Sequence, residues 1–194
     1  MLSTYIDLLN GATKASVVGM GKRGMAMAVA LARRINVVGF DRDKAKFDTL
    51  TDIMEQSHDV GGNGIKHGKV EFTAEAKRLR EAQFHVVTAT MSGQNGQTVD
   101  VKSVKETCEV LGRNLSWGSI VVFEDSLGAD IVNEVCIKAL EMESGLACGV
   151  GFKIGVWPKG DSGVLSAEEE SCGIRGTDPA TQDQVDKVAA LSRQ

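Results

Sequence analysis

Ala15-Ser16-Val17-Val18-Gly19-Met20-Gly21-Lys22-Arg23-Gly24 is a β-branched run entering a turn whose glycines are spaced G-x-G-x-x-G, and a small-residue stretch from Met25 to Arg34 follows at once. This reads as a strand, a tight turn and a helix N-terminus. Gly19 permits the turn, Gly21 lets the backbone approach a ligand with no Cβ in the way, and Gly24 lets the helix pack closely on its strand. The first-turn N–H groups have no intrahelical acceptor and sit at the positive end of the helix dipole, so that end suits an anionic diphosphate.

The next element strengthens this reading. Ile35-Asn36-Val37-Val38-Gly39-Phe40-Asp41 is a second strand ending in a carboxylate, at about the ~20-residue separation from the glycines at which an acid reaches the ribose hydroxyls of an adenine dinucleotide. The plainer alternative is that the glycines only shape a βα turn and Asp41 caps a helix starting near Asp43. A methyltransferase binding S-adenosylmethionine would share the turn and the acid. The Asp41 carboxylate favours NAD over NADP by repelling a 2′-phosphate, whereas Arg42 and Lys44 beside it are the kind of cation that accommodates one.

The chain of 194 residues is 42% hydrophobic and 25% charged, the profile of a globular chain with enough apolar side chains for one buried core. A net charge of −4 leaves no basic footprint for nucleic acid. No apolar run approaches the ~20 residues of a membrane helix, and the start, Met1 to Asp7, lacks the features of a signal peptide, so a cytoplasmic location is expected. Cys108, Cys136, Cys148 and Cys172 form no C-x-x-C pair, and His58, His67 and His85 have no ligand-like spacing to them, so reduced thiols and no metal are expected. His85, in the run Phe84 to Thr88, reads as a core or edge histidine rather than a catalytic one.

In order, the pattern predicts a short helix from Thr4 to Asn10 in an N-terminal extension (1–14), followed by a single domain over 15–194. Strands are expected at Ala15 to Gly19, Asn36 to Asp41, Lys69 to Phe72, Phe84 to Thr90, Ser119 to Glu124 and Ala147 to Val156. Helices are expected at Lys22 to Arg34, Asp43 to Glu55, Ala74 to Ala82, Val99 to Leu115, Asp130 to Glu143 and Pro179 to Leu191, with loops at Ser57 to Gly68 and Pro158 to Gly176. Strands alternating with helices require crossover connections. The expected fold is therefore α/β: a doubly wound, mostly parallel, Rossmann-like sheet flanked by helices on both faces. A ligand would lie beyond the carboxyl ends of the strands where strand order reverses, against Gly19 to Gly24, Asp41, Thr88 to Ser92 and Glu124 to Ser126.

Val17-Val18-Gly19-Met20-Gly21, Val38-Gly39-Phe40-Asp41, Phe84-His85-Val86-Val87-Thr88 and Ile120-Val121-Val122-Phe123-Glu124-Asp125-Ser126, with Asn133-Glu134-Val135-Cys136 and the closing Gly176-Thr177-Asp178-Pro179, together resemble the N-terminal NAD-binding domain of the UDP-glucose/GDP-mannose dehydrogenase family. The resemblance implies NAD as cofactor and a UDP- or GDP-linked sugar as partner, its C6 alcohol oxidised to a uronic acid in two hydride transfers. It leaves open a homodimer or partner domains. Gly19, Met20, Gly21, Lys22, Arg23 and Gly24 become the pyrophosphate turn, with Asp41 gripping the ribose and Arg42 beside it. Thr88, Ala89 and Thr90 would follow the cofactor after the fourth strand. Glu124 and Ser126 would stand near the nicotinamide, Ser126 where the family usually has a threonine and able to make the same hydroxyl hydrogen bonds. A turn or helix cap is the alternative role for Ser126.

The departures from the family pattern are specific. Ala89-Thr90-Met91-Ser92 replaces a proline-containing run. Lys159, after Trp157-Pro158, stands where the family has a catalytic carboxylate, which exchanges a proton acceptor for an ammonium. The family's helical and C-terminal domains, with their nucleophilic cysteine, have no counterpart within these residues, and no cysteine here has an evident activating partner. A catalytically inactive dinucleotide-binding module is therefore the competing expectation. Lys22 and Arg23, cations at a positive helix end, are expected to point into solvent.

Overall fold

A computed structural model describes residues 3–45, 70–88, 91–92, 98–158 and 173–193. The expected helix from Asp43 to Glu55 beyond its first residues, the 57–68 loop, and Ala89, Thr90, Lys159 and Cys172 lie outside the described residues.

Six strands, β1 (Lys14–Val18), β2 (Val37–Phe40), β3 (Val70–Thr73), β4 (Ala82–Val87), β7 (Ser119–Glu124) and β8 (Phe152–Trp157), form one parallel sheet in the order β3-β2-β1-β4-β7-β8. A small antiparallel ribbon, β5 (Met91–Ser92) with β6 (Thr98–Val99), lies apart from it. Among the described residues the helices are α1 (Thr4–Leu9), α2 (Lys22–Ala32), α3 (Val101–Gly112), α4 and α5 (Pro179–Leu191). Helix α4 starts at Ala129–Ile131, passes through a π turn at Val132–Ile137 and ends at Lys138–Ser144. The chain leaves β1 toward β2 on one side and returns to β4 on the other, so strand order reverses between β1 and β4, as the doubly wound reading requires.

Alternation along the strands divides the core in two. Ala15, Val17, Phe84, Val86, Ile120 and Val122 face α2 and α5, while Val18, Val87, Val121 and Phe123 face α3 and α4. The sheet is covered on both faces, which is why β2 and β7 are buried along their whole length, whereas the edge strand β3 is not. Leu8 of α1 is buried in the first of these layers, and Ser3 and Tyr5 hydrogen-bond to the Gln184 side chain of α5. The N-terminal helix is thereby attached to the sheet through α5. Along β8, Gln182 of α5 both accepts from the Val156 N–H (3.0 Å) and donates to the Val156 carbonyl (2.8 Å), satisfying the outer edge of the sheet.

Several boundaries differ from expectation for identifiable reasons. The segment expected as a helix from Ala74 to Ala82 is a 3-10 helix, Ala76–Glu81. It links β3 to β4 across two intervening strands, and a 3-10 helix rises ~2.0 Å per residue against ~1.5 Å for an α-helix, so few residues span farther. Strand β4 ends at Val87, and Thr88 after it donates both its N–H (3.0 Å) and its hydroxyl (3.3 Å) to the Val18 carbonyl of β1. Strand β8 begins at Phe152 because Ala147–Gly151 forms a turn in which Gly149 takes φ +86° and the Gly151 N–H donates to the Ala147 carbonyl. Among the described residues no helix is long and apolar enough to cross a membrane.

Candidate functional site

The glycine turn joins the C-terminal end of β1 to α2, whose N-cap is Gly21 with no side chain capping it. Gly19 has φ +103°, and a Cβ there would lie 2.7 Å from Thr88 Oγ1; a Cβ on Gly24 would overlap the Gly19 carbonyl oxygen. Nothing lies within 4 Å of the place a Cβ on Gly21 would occupy. Two glycines are therefore demanded by the protein's own packing, while the third opens onto free space beside the helix N-terminus.

Asp41 continues β2 beyond Phe40 and is buried. Its Oδ2 accepts from the Met20 N–H at 2.8 Å and its Oδ1 from the Asp43 N–H at 3.0 Å. The carboxylate therefore faces the glycine turn, and with about four acceptor positions it has capacity for the hydroxyls of a sugar. Beside it a cavity of about 360 Å³ is lined by Val18, Gly19, Phe40, Asp41, Arg42 and Asp43 on the sheet side and by Ser103 and Thr107 of α3.

The other expected residues are placed as follows. Thr88 is buried, and its hydroxyl donates to the Gly19 carbonyl (2.8 Å), with a longer approach to Val18 O (3.3 Å), so it ties the turn to β4. Lys22 is exposed, in accord with a solvent role. Arg23 is also largely exposed, yet it pairs with buried Glu124 at the end of β7 (Nη1 to Oε2, 3.3 Å) and so does not simply point into solvent. Arg42 pairs with Glu106 of α3 at 2.8 Å. Ser126 is exposed in the short 3-10 turn Asp125–Leu127, and the N-cap of the following helix is Gly128, so the hydroxyl is not that helix's cap.

Ser103, Glu106 and Thr107 are site neighbours that sequence reasoning missed. Their signal was faint: three polar residues flank the apolar stripe of α3, indistinguishable from an ordinary solvated face until α3 is docked beside β2.

His85 is fully buried, and Ser16 Oγ lies 2.7 Å from its Nδ1. Burial pushes its pKa down to about 3, so the imidazole is neutral and belongs to the core. The Cys108 and Cys148 thiols are unactivated. Cys108 is raised by hydrogen bonding with Cys136 and by burial, and burial pushes Cys148 up to about 11.

The open helix end over Gly21, the packing demanded at Gly19 and Gly24, and a carboxylate across the turn fit a dinucleotide: amides for the diphosphate and an acceptor for the ribose. The model of the UDP-glucose/GDP-mannose dehydrogenase family, NAD binding domain, matches residues 13–160. This chain belongs to that family. Its cofactor is NAD. Protein CapL of Staphylococcus aureus is 28% identical over 144 residues, covering 74% of this chain and 34% of the relative. A UDP-N-acetyl-D-glucosamine 6-dehydrogenase of Salmonella typhi is 24% identical over 147 residues, covering 75% of this chain and 35% of the relative. The chain thus spans about a third of the length of these relatives. The fold is shared with the crystal structure of NDP-N-acetyl-D-galactosaminuronic acid dehydrogenase from Methanosarcina mazei Go1, at 20% identity and TM-score 0.68 over 99% of this chain and 45% of that one.

Proposed function

We propose that this domain holds NAD for the oxidation of a UDP- or GDP-linked sugar at its C6 alcohol toward the uronic acid, with substrate-binding groups supplied from outside the family's NAD-binding domain. The carrying observation is the Met20 N–H to Asp41 Oδ2 bond, which turns the carboxylate toward the uncapped N-terminus of α2. Bound NAD supplies the hydride acceptor. The amides at the start of α2 hold the diphosphate, Asp41 accepts from the ribose hydroxyls, and Thr88 keeps the turn in shape. Glu124 and the exposed Ser126 stand at the end of β7, one strand beyond β4, where the Ser126 hydroxyl would hold a water or substrate oxygen. The family resemblance assigns cofactor contacts to Ala89 and Thr90 as well, next in the chain after Thr88. The reaction's soluble substrates suit the cytoplasm.

A second reading, a dinucleotide-binding module without catalysis, is favoured by Lys159 at the position of the family's carboxylate. Calorimetric titration with NAD, followed by NADH absorbance in the presence of UDP-glucose or UDP-N-acetylglucosamine and the substrate domain of a relative added in trans, separates the two. NAD binding with NADH formation supports the dehydrogenase. Binding without NADH leaves the module, and no NAD binding overturns both.

A further inference from the structure

The end of β2 carries two opposing signals for cofactor choice: Asp41, which repels a 2′-phosphate, and Arg42, which could bind one. Arg42 Nη2 lies 2.8 Å from Glu106 Oε2 on α3, and Ser103 and Thr107 of the same helix line the cavity beside Asp41. The cation nearest the ribose acid is therefore already committed to a carboxylate on a different element. We propose that Glu106 is a positioning residue for cofactor discrimination: by holding the Arg42 guanidinium on α3 it denies that cation to a 2′-phosphate and keeps the pocket selective for NAD. The proposal rests on the NAD-binding reading of this same pocket.

A 2′-phosphate carries close to two negative charges and is best held by the planar fork of an arginine. With Glu106 in place, a 2′-phosphate must break the Arg42 pair and enter beside the carboxylates of Asp41, Asp43 and Glu106. Removing Glu106 changes both terms together, releasing the Arg42 Nη2 group it holds and deleting one negative charge. Arg42 and Glu106 are both partly exposed, with side-chain exposures of 47% and 37%, so the pair contributes little to folding. Alanine is the best helix former, so E106A keeps α3 intact.

The experiment is calorimetric titration of the chain and of its E106A and R42A/E106A variants with NAD and with NADP at low and moderate salt. The expected result is that wild type binds NAD more tightly than NADP, E106A tightens NADP by about tenfold with NAD changed less than threefold, and R42A/E106A loses the gain. The gain should shrink as salt rises. An NADP-to-NAD ratio unchanged in E106A, or both cofactors weakened equally, overturns the role of Glu106 while NAD binding itself stands. Retention of the gain in the double variant overturns it as well. Absence of NAD binding in wild type is the distinct result that removes the underlying reading and the inference with it.

Discussion

The Met20 N–H donates to Asp41 Oδ2 at 2.8 Å, so the glycine turn after β1 and the acid after β2 are one hydrogen-bonded unit rather than two neighbouring features. A second N–H, from Asp43, is held by the other carboxylate oxygen. Under the function proposed above, the acid that would grip the ribose also fixes the turn that would receive the diphosphate, which would couple binding and stability at this residue.

Replacement of Asp41 by alanine should therefore do two things. It leaves the Met20 N–H unpaired in a buried position, which costs about 1–3 kcal/mol in urea unfolding. It also removes the charge that opposes a 2′-phosphate, so the NAD and NADP affinities converge. A stability loss with an unchanged cofactor ratio would limit Asp41 to the structural role.

Gly21→Ala and Gly24→Ala should separate ligand contact from packing. A Cβ on Gly24 overlaps the Gly19 carbonyl, whereas one on Gly21 meets nothing within 4 Å. G24A is expected to lose at least about 1–3 kcal/mol of stability, the cost of an overpacked core site. G21A should lose no more than about 1 kcal/mol, the difference between glycine and alanine at an N-cap, yet bind NAD at least about tenfold more weakly, since its methyl group would occupy the diphosphate's approach. Unchanged NAD affinity in G21A would place the diphosphate elsewhere.

Thr88→Val keeps the shape of the side chain and removes the hydroxyl that donates to the Gly19 carbonyl. The expected cost is about 1 kcal/mol in thermal or urea unfolding, the net worth of one such bond, with weakened NAD binding because the turn loosens. Full NAD affinity in T88V would show that the turn holds its shape without this tie.

The pH dependence of stability should carry the signature of His85. Its pKa is lowered from 6.5 to about 3 in the folded protein by burial, so the unfolded chain binds a proton that the folded chain does not. Stability is then full above pH 6.5 and falls as pH decreases toward 3, by up to about 5 kcal/mol. His85→Asn, whose amide can still meet Ser16 but cannot titrate, should flatten the curve between pH 6.5 and 5, above the range in which carboxylates contribute. An unchanged slope in denaturant titrations of H85N would assign the dependence to other groups.

Much of the sheet was legible because its signals are local. Val17, Val18, Val37 and Val38 are β-branched runs ended by glycine or an acid, and the spacing of Gly19, Gly21, Gly24 and Asp41 carries the βαβ unit in a short span of chain. Boundaries set by other elements were not legible. Thr88 has its hydroxyl tied to the Gly19 carbonyl, and Ala76–Glu81 is a 3-10 helix that spans two intervening strands, neither of which is written in the residues themselves. Arg23 reads as a solvated cation in any local window, and only the strand order brings Glu124 to it.

By itself the sequence determined the class of fold, the glycine turn and the acid across from it, because hydrophobic periodicity and backbone conformational need act within one or two elements. Tertiary structure alone decided which side chains share the mouth of the sheet: Glu106 beside Arg42, Thr88 under Gly19, Ser103 and Thr107 beside Asp41. Those partners are distant in the chain, and they meet only because crossover connections and close packing bring α3, β4 and the β1–α2 turn to one edge.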